Sequence, residues 1–317
     1  MLKFDWISQK LSLMISGNKF LKYWNLLKDT FVEFNDDNAV KLSASLSYYT
    51  IFALPPLLII IITICGFFFG EEAVTGQLYG QINRLVGNDA AVQIQEAIKN
   101  VQLSDSGLFV TVFGVVMLLV GASGVFAEIQ SSINFIWGLR AKPNKGLKKF
   151  IQNRIMSFSM IVSVGFLMLV SLMLNATLDI LNDRLKLYLP DATVYLFYVI
   201  NLVIVFVSIT LLFAIIFRTL PDGAIKWKDA FIGASCTAVL FMIGKFCIGF
   251  YLGNSSVAGV YGAAGSIIVI LVWVYYSAII LYFGAEFTKV YAKSYGGEIA
   301  PNDYSVRIKK EIFEVKK

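Results

Sequence analysis

The chain has 317 residues, 57% hydrophobic and 15% charged, with a mean hydropathy of +0.71. A soluble domain carries about 25% charged residues, so this composition excludes an ordinary water-soluble fold. The net charge of +6 raises nucleic-acid binding, but the basic residues form no single basic face, and histidine is absent, which removes His-based acid–base chemistry, His metal ligation and a His pH switch.

Residues 1–45 form a polar segment containing one amphipathic stretch. Tyr23, Trp24, Leu26, Leu27, Phe31 and Phe34 recur at helical spacing, with Lys22, Lys28, Asp29 and Glu33 between them. The spacing predicts a helix over 22–34. It suits a helix lying on the basic-side leaflet, Trp and Tyr at headgroup level, and equally one packed against a bundle. Asn35-Asp36-Asp37-Asn38 ends that helix and can cap the next. No cleavable signal is expected in this charged segment, so the first span serves as its own insertion signal.

Six apolar stretches follow, at roughly 46–70, 107–137, 155–178, 193–217, 230–252 and 263–288, each long enough to cross a bilayer. They define a membrane domain over 46–290, followed by a short tail, 291–317. Pro55 and Pro56 interrupt the first span, and Pro56 removes a helical hydrogen bond, so a kink near Leu54 is expected. Between the first two spans, Val74, Leu78, Ile82 and Leu85 form one stripe, and Ala91, Ile94, Ile98 and Val101 another. Two short amphipathic helices within 73–102 are the natural reading. The predicted fold is therefore an all-α integral membrane protein, a six-helix transmembrane bundle.

Charge orients this bundle. Segments 1–45, 138–154, 218–229 and 289–317 hold 22 of the 27 Lys and Arg residues. The alternate connections hold 4, and the last, Lys245, lies inside the fifth span. Positive charge resists translocation, so the basic side, with both termini, is expected to be cytoplasmic. The same alternation accounts for the high pI without any nucleic-acid partner. Arg140, Lys142, Lys145, Lys148, Lys149 and Arg154 crowd one connection that contains no acid. Topology alone explains that cluster, and a specific lipid or partner site there is the lesser reading; membrane lipids are the partners expected of the chain as a whole.

Three charged residues fall within the spans: Glu128, Lys245 and Glu286. A charge at a helix centre costs roughly 2.5–3.5 kcal/mol on insertion scales and usually has a partner. Glu128 and Glu286 sit near the basic ends of their helices. Lys245 lies roughly 22 Å into its helix, where it either lines a polar cavity that binds an anionic group or snorkels to the far interface. Asn134, Asn201 and Tyr261 complete the candidate binding set. Gly249, Gly253, Gly262 and Gly265 follow small-residue spacing for close helix packing, which also permits self-association. The uncharged run 253–265 could dip into the bundle as a re-entrant turn.

Cys65, Cys236 and Cys247 all fall in spans and suit packing better than a disulfide or metal site. No phosphate-binding Gly-rich loop, H-E-x-x-H, G-x-S-x-G or paired catalytic carboxylates occur. Neither enzymatic activity nor a metal or cofactor is expected.

The run Ala44 to Pro55 with Tyr48-Tyr49, Asn134-x-x-Trp137, and Leu220-Pro221 before Gly233 resemble the YihY/BrkB family of bacterial inner-membrane proteins. Tyr251, Tyr261-Gly262-x-x-Gly265, Trp273 and Gly284-Ala285-Glu286 extend the likeness across about residues 25–290. The resemblance implies a six-helix protein of the bacterial cytoplasmic membrane, linked with envelope integrity and virulence. An older label called some members a ribonuclease, which a chain without histidine or an acidic metal cluster does not support. No catalytic residue is implied. Two functions are open at this level: handling or transport of a lipid, another amphiphile or an anionic solute, and a non-transporting envelope scaffold that recruits partners through its basic loop and external helices.

Overall fold

The computed structural model describes residues 19–53, 124–142, 190–254, 265–303 and 305–308, with isolated positions at 75, 76, 79, 80, 92, 95, 121 and 159. Most of segment 71–106, nearly all of the predicted third span, Pro55, Pro56, and residues 255–264 of the expected re-entrant run, Tyr261-Gly262 included, lie outside the described residues.

Helix α1 spans Lys19–Asp36. Leu26, Thr30 and Phe34 are buried along one face, while Tyr23, Trp24, Leu27 and Phe31 are exposed on the others. The buried face packs against the last long helix, Leu26 on Phe287 and Val290, and Phe34 on Phe283 with ring centroids 5.7 Å apart. The helix thus packs on the bundle, as one of the two sequence readings has it, and leaves Tyr23, Trp24 and Phe31 exposed on its other side. The chain turns at Asp37–Asn38, where Asn38 adopts φ 51, a left-handed value that asparagine tolerates better than most residues. The backbone carbonyl of Asn38 then accepts from Lys41 N at 2.9 Å as the next helix begins.

Helix α2 is described over 39–53 and starts seven residues before the first apolar run at 46. Ser43, Ser47 and Thr50 donate to carbonyls one turn back, so these three hydroxyls cost no unsatisfied donor. Helix α3, described over 124–136, covers the end of the predicted second span, and Gly138, at φ 65, turns the chain away from it.

Three long helices follow, each apolar and long enough to cross a membrane. They are α4 Pro190–Thr219, α5 Trp227–Asn254 and α6 Gly265–Tyr291, each within three residues of its predicted span at both ends. The run Leu220–Lys226 returns the chain from α4 to α5, and α5 packs along both α4 and α6. Where α5 crosses α6, the contact is reciprocal. A Cβ at Gly233 would overlap the Thr288 side chain, and one at Gly284 would overlap Thr237. Each threonine donates to the carbonyl of the glycine one turn before it, Thr237 to Gly233 and Thr288 to Gly284, both at 2.7 Å. Paired Gly-x-x-x-Thr segments let the backbones approach, which is how helices associate where lipid competes for every apolar contact.

Two short ribbons add an element that an all-α expectation lacks. β1 Leu139–Ala141 pairs antiparallel with β4 Ser305–Arg307, and β2 Gly223–Ala224 pairs antiparallel with β3 Ala300–Pro301. The tail, read from sequence as a simple extension, therefore clasps both the 138–142 and the 220–226 connections. Gly223 is needed in that clasp, since a Cβ there would lie 2.7 Å from Leu139 and 2.8 Å from Ile299. The largest fully buried side chains, Tyr282, Phe217, Ile133, Ile136 and Leu220, lie on α3, α4, α6 and the connection that the ribbons cover. The described parts of all four basic segments of the charge alternation meet at this one end of the bundle.

Candidate functional site

Two polar hubs hold the basic end together. The first is Asp222, in the connection between α4 and α5. Its carboxylate accepts from Gln130 Nε2 at 3.1 Å and Asn134 Nδ2 at 2.9 Å, both on α3. Its backbone N–H donates to Asn134 Oδ1 at 2.7 Å, so Asn134 grips both the side chain and the main chain of one residue. The Asp222 carbonyl accepts from Ser305 Oγ at 2.7 Å and Asn302 N at 3.0 Å, which fixes the tail. Asp222 is 6% exposed, and this full set of donors is what makes a carboxylate tolerable there. One turn beyond Asn134, Trp137 Nε1 donates to the Ala285 carbonyl at 3.1 Å and ties α3 to α6.

The second hub is Lys289, in the last turn of α6. Its Nζ lies 2.6 Å from Glu33, 2.7 Å from Glu286 and 3.1 Å from Asp37, and donates to the Ile136 carbonyl at 2.8 Å. An ammonium has three N–H donors, and here four oxygens converge on them. Three carboxylates face one cation, which also brings Asp37 against Glu286. Glu286 is completely buried, so its pairing with Lys289 offsets a desolvation cost of several kcal/mol.

From Glu286 a polar stripe continues inward. Tyr282, one turn before it on α6, is fully buried, and its hydroxyl lies beside Ser132 and within electrostatic reach of Glu128 on α3. Seven residues separate Lys289 from Tyr282, about 10 Å along the axis, and Glu128 lies one further turn from the basic end. The stripe thus reaches about half the depth of a hydrocarbon core roughly 30 Å thick.

The sequence-derived candidates divide between these hubs and the surface. Glu286 and Asn134 belong to the two hubs, and Glu128 closes the stripe. Lys245 and Asn201 are exposed on α5 and α4. Lys245 lies between exposed Ile243, Phe246 and Phe250, and makes no hydrogen bond or ion pair among the described residues. Gly249 and Gly253 fall in the last turns of α5, and Gly265 opens α6. Sequence reasoning missed Asp222, Lys289, Asp37 and Gln130. Lys289 carried a usable signal, three residues after Glu286 on one helix face. Asp222 carried only its place after Leu220-Pro221.

Among the described residues no group of three or more Cys, Asp or Glu side chains is arranged to hold a metal ion. The arrangement fixes helix ends and places ionisable groups on the facing sides of α3 and α6.

Several of the residues that carry the family resemblance lie at or near this end: Asn134 and Trp137, Leu220-Pro221, Gly233, and Gly284-Ala285-Glu286. The family model for virulence factor BrkB matches residues 30–308. A UPF0761 membrane protein of Teredinibacter turnerae is 27% identical over 86% of this chain and 62% of its own length. One from Xanthomonas campestris is 28% identical over 80% of this chain and 57% of its own. Another, from Alkalilimnicola ehrlichii, is 27% identical over 82% and 56%. The chain thus spans about three-fifths of the length of the curated relatives it matches. No solved structure matches it. With nearly its whole described bundle inside the matched region, this chain belongs to the BrkB family of membrane proteins.

Proposed function

We propose that the chain is a six-span protein of the bacterial cytoplasmic membrane, both termini cytoplasmic, that moves or holds a lipid or other amphiphile along its polar interior. The supporting observation is the stripe Lys289–Glu286–Tyr282–Ser132–Glu128, buried at Glu286, Tyr282 and Ser132 and partly buried at its two ends. Ionisable groups within spans are expensive, and their usual use is to line a pathway or relay charge. Its acidic character suits an amphiphile moved with a proton or cation better than a free anion, which shifts the earlier expectation away from anionic solutes. The cytoplasmic placement of the basic end rests on the bias of 22 among 27 Lys and Arg residues. In this reading the chain is not an enzyme and needs no cofactor, and the family's virulence label reflects a role in the envelope.

The test is exchange of a fluorescent phospholipid between leaflets of proteoliposomes holding the full chain. Wild type is expected to accelerate exchange, and Glu286→Gln to slow it at least tenfold while still purifying as a folded protein. Unchanged exchange in Glu286→Gln sinks the pathway. Absence of exchange in wild type favours the second reading, an envelope scaffold. The specific support for that alternative is the clasp, because β1–β4 and β2–β3 present a folded platform beside the basic loop. Partner capture that survives Glu286→Gln but fails when the tail is cut at residue 297 marks the scaffold.

A further inference from the structure

Where α4 ends and α5 begins, a cavity of about 510 Å³ opens between the helix ends and the tail, lined by Arg218, Lys226, Trp227, Asp229 and Glu298 among others. Neither polar hub uses Arg218 or Lys226. The guanidinium of Arg218 lies 5.8 Å from the centre of the Trp227 ring, within cation–π range. Its Nε is buried and has no hydrogen-bond partner among the described residues. A buried, unmatched donor on a permanently charged group is costly unless something outside the chain completes it.

Lys226 is held in place for the same purpose. Its Nζ donates to the Gly296 carbonyl at 2.7 Å, which leaves two N–H donors. Gly297, at φ 115, keeps the backbone close, since a Cβ there would stand only 3.3 Å from the ammonium. The two acids of the cavity are already engaged by the chain itself. Glu298 is engaged by pairing with Arg307, and the Asp229 carboxylate is buried against Gly296, away from solvent. Two cations therefore stand over the open volume with donors to spare.

The depth of the cavity narrows the ligand. Arg218 is the penultimate residue of α4, and Trp227 the first of α5, so both sit where the apolar spans meet the aqueous edge. Lipid phosphates lie at that level, where Trp and Arg are the usual interfacial side chains. Trp227 is half exposed and stacks at a tilt on Phe231, which gives an acyl chain an apolar flank beside the cations. A phosphodiester matches the planar fork of arginine with two oxygens.

We infer that the cavity of Arg218, Lys226 and Trp227 binds the phosphodiester headgroup of an anionic phospholipid in the leaflet on the basic side. The inference rests on the membrane reading above and names a lipid class for it. The test titrates the purified full chain in detergent with short-chain phosphatidylglycerol brominated in its acyl chains, reading tryptophan quenching. Short-chain phosphatidylcholine and inorganic phosphate serve as the comparison probes. Expected is saturable quenching by phosphatidylglycerol, lost in large part in Trp227→Phe, and weakened about tenfold in Arg218→Gln, the effect of one charge-assisted bond. Arg218→Lys is expected to fall between the two. Equal binding by Arg218→Gln overturns the site, as does equal binding of phosphatidylcholine. Displacement by inorganic phosphate at matching concentration assigns the cavity to a free anion and overturns the lipid. Should Arg218→Gln fail to fold, the Trp227→Phe comparison and the phosphate arm still decide. The readout is binding, so its failure leaves the leaflet-exchange test of Glu286 standing, and the reverse.

Discussion

The basic end of the bundle and the outward faces of α4 and α5 are built by different chemistry. At the basic end, one lysine and one aspartate bind α1, α3, α6, the α4–α5 connection and the tail into a unit. Along the outward faces, Val199, Val203 and Val207 on α4 and Val239, Ile243, Phe246 and Phe250 on α5 are exposed. Water would drive such faces together, but lipid tails solvate them. In a bilayer, therefore, apolar stripes say little about which helices meet, and polar bonds and close small-residue contacts decide it. The contrast is between a region where each partner is specified and one where the partner is solvent.

Breaking the specified region is expected to cost most at Lys289. Lys289→Met leaves Glu286 buried beside two more carboxylates, and removal of one partner of a buried pair costs about 3–5 kcal/mol. Thermal unfolding in detergent measures this loss. Glu286→Gln in the same background is expected to recover part of it, because the uncompensated charge is gone. A Lys289→Met protein as stable as wild type would show that water or a second cation already serves the cluster. Gly284→Ala comes next, at about 1–3 kcal/mol for overpacking. Its new Cβ meets Thr237 at three atoms, of which Thr237→Ala removes two, so the double variant is expected to regain stability. Equal instability in single and double variants would place the strain elsewhere.

How much of this was legible in the sequence follows from the same contrast. Spans α4 to α6 were readable almost to the residue, because the bilayer imposes length and apolarity whatever the neighbours are. Both hubs were harder to see. Lys289 counted as one more cytoplasmic cation, since its partners Glu33 and Asp37 lie about 250 residues away along the chain. Asp222 looked like a loop acid, and only the fold brings Gln130 and Asn134 to it. Trp137 and Ala285 were visible as parts of a resemblance, but not as two ends of one hydrogen bond. The ribbons were invisible for a further reason: strands of two or three residues carry no alternation to detect. Charge in an apolar run, by contrast, drew attention to Lys245 regardless of which way it faces.

Asp222→Asn sharpens the first hub with a smaller effect. The asparagine keeps one acceptor for Gln130 or Asn134 and turns the other position into a donor facing a donor. A loss of about 1 kcal/mol is expected, the scale of one net hydrogen bond. Loss of the tail's protection from protease should accompany it, because the Asp222 carbonyl anchors Ser305 and Asn302. Unchanged stability with unchanged proteolysis would mean that the main-chain bonds alone carry the clasp.

Lys245→Ala is expected to change stability least, by less than about 0.5 kcal/mol. An exposed side chain on α5, flanked by Phe246 and Phe250, strands no partner among the described residues when it is truncated. Its long stem can carry the ammonium to the far interface, so the cation is compatible with a lipid-facing position and needs no internal counter-ion. Removing it should leave unfolding unchanged and alter only how the far end of α5 sits against headgroups. Attenuated quenching by lipids brominated near the far interface in Lys245→Ala would report that seating. A destabilisation comparable with that of Lys289→Met would instead mean that Lys245 has a buried partner, and the division between a specified end and a lipid-solvated face would have to be redrawn.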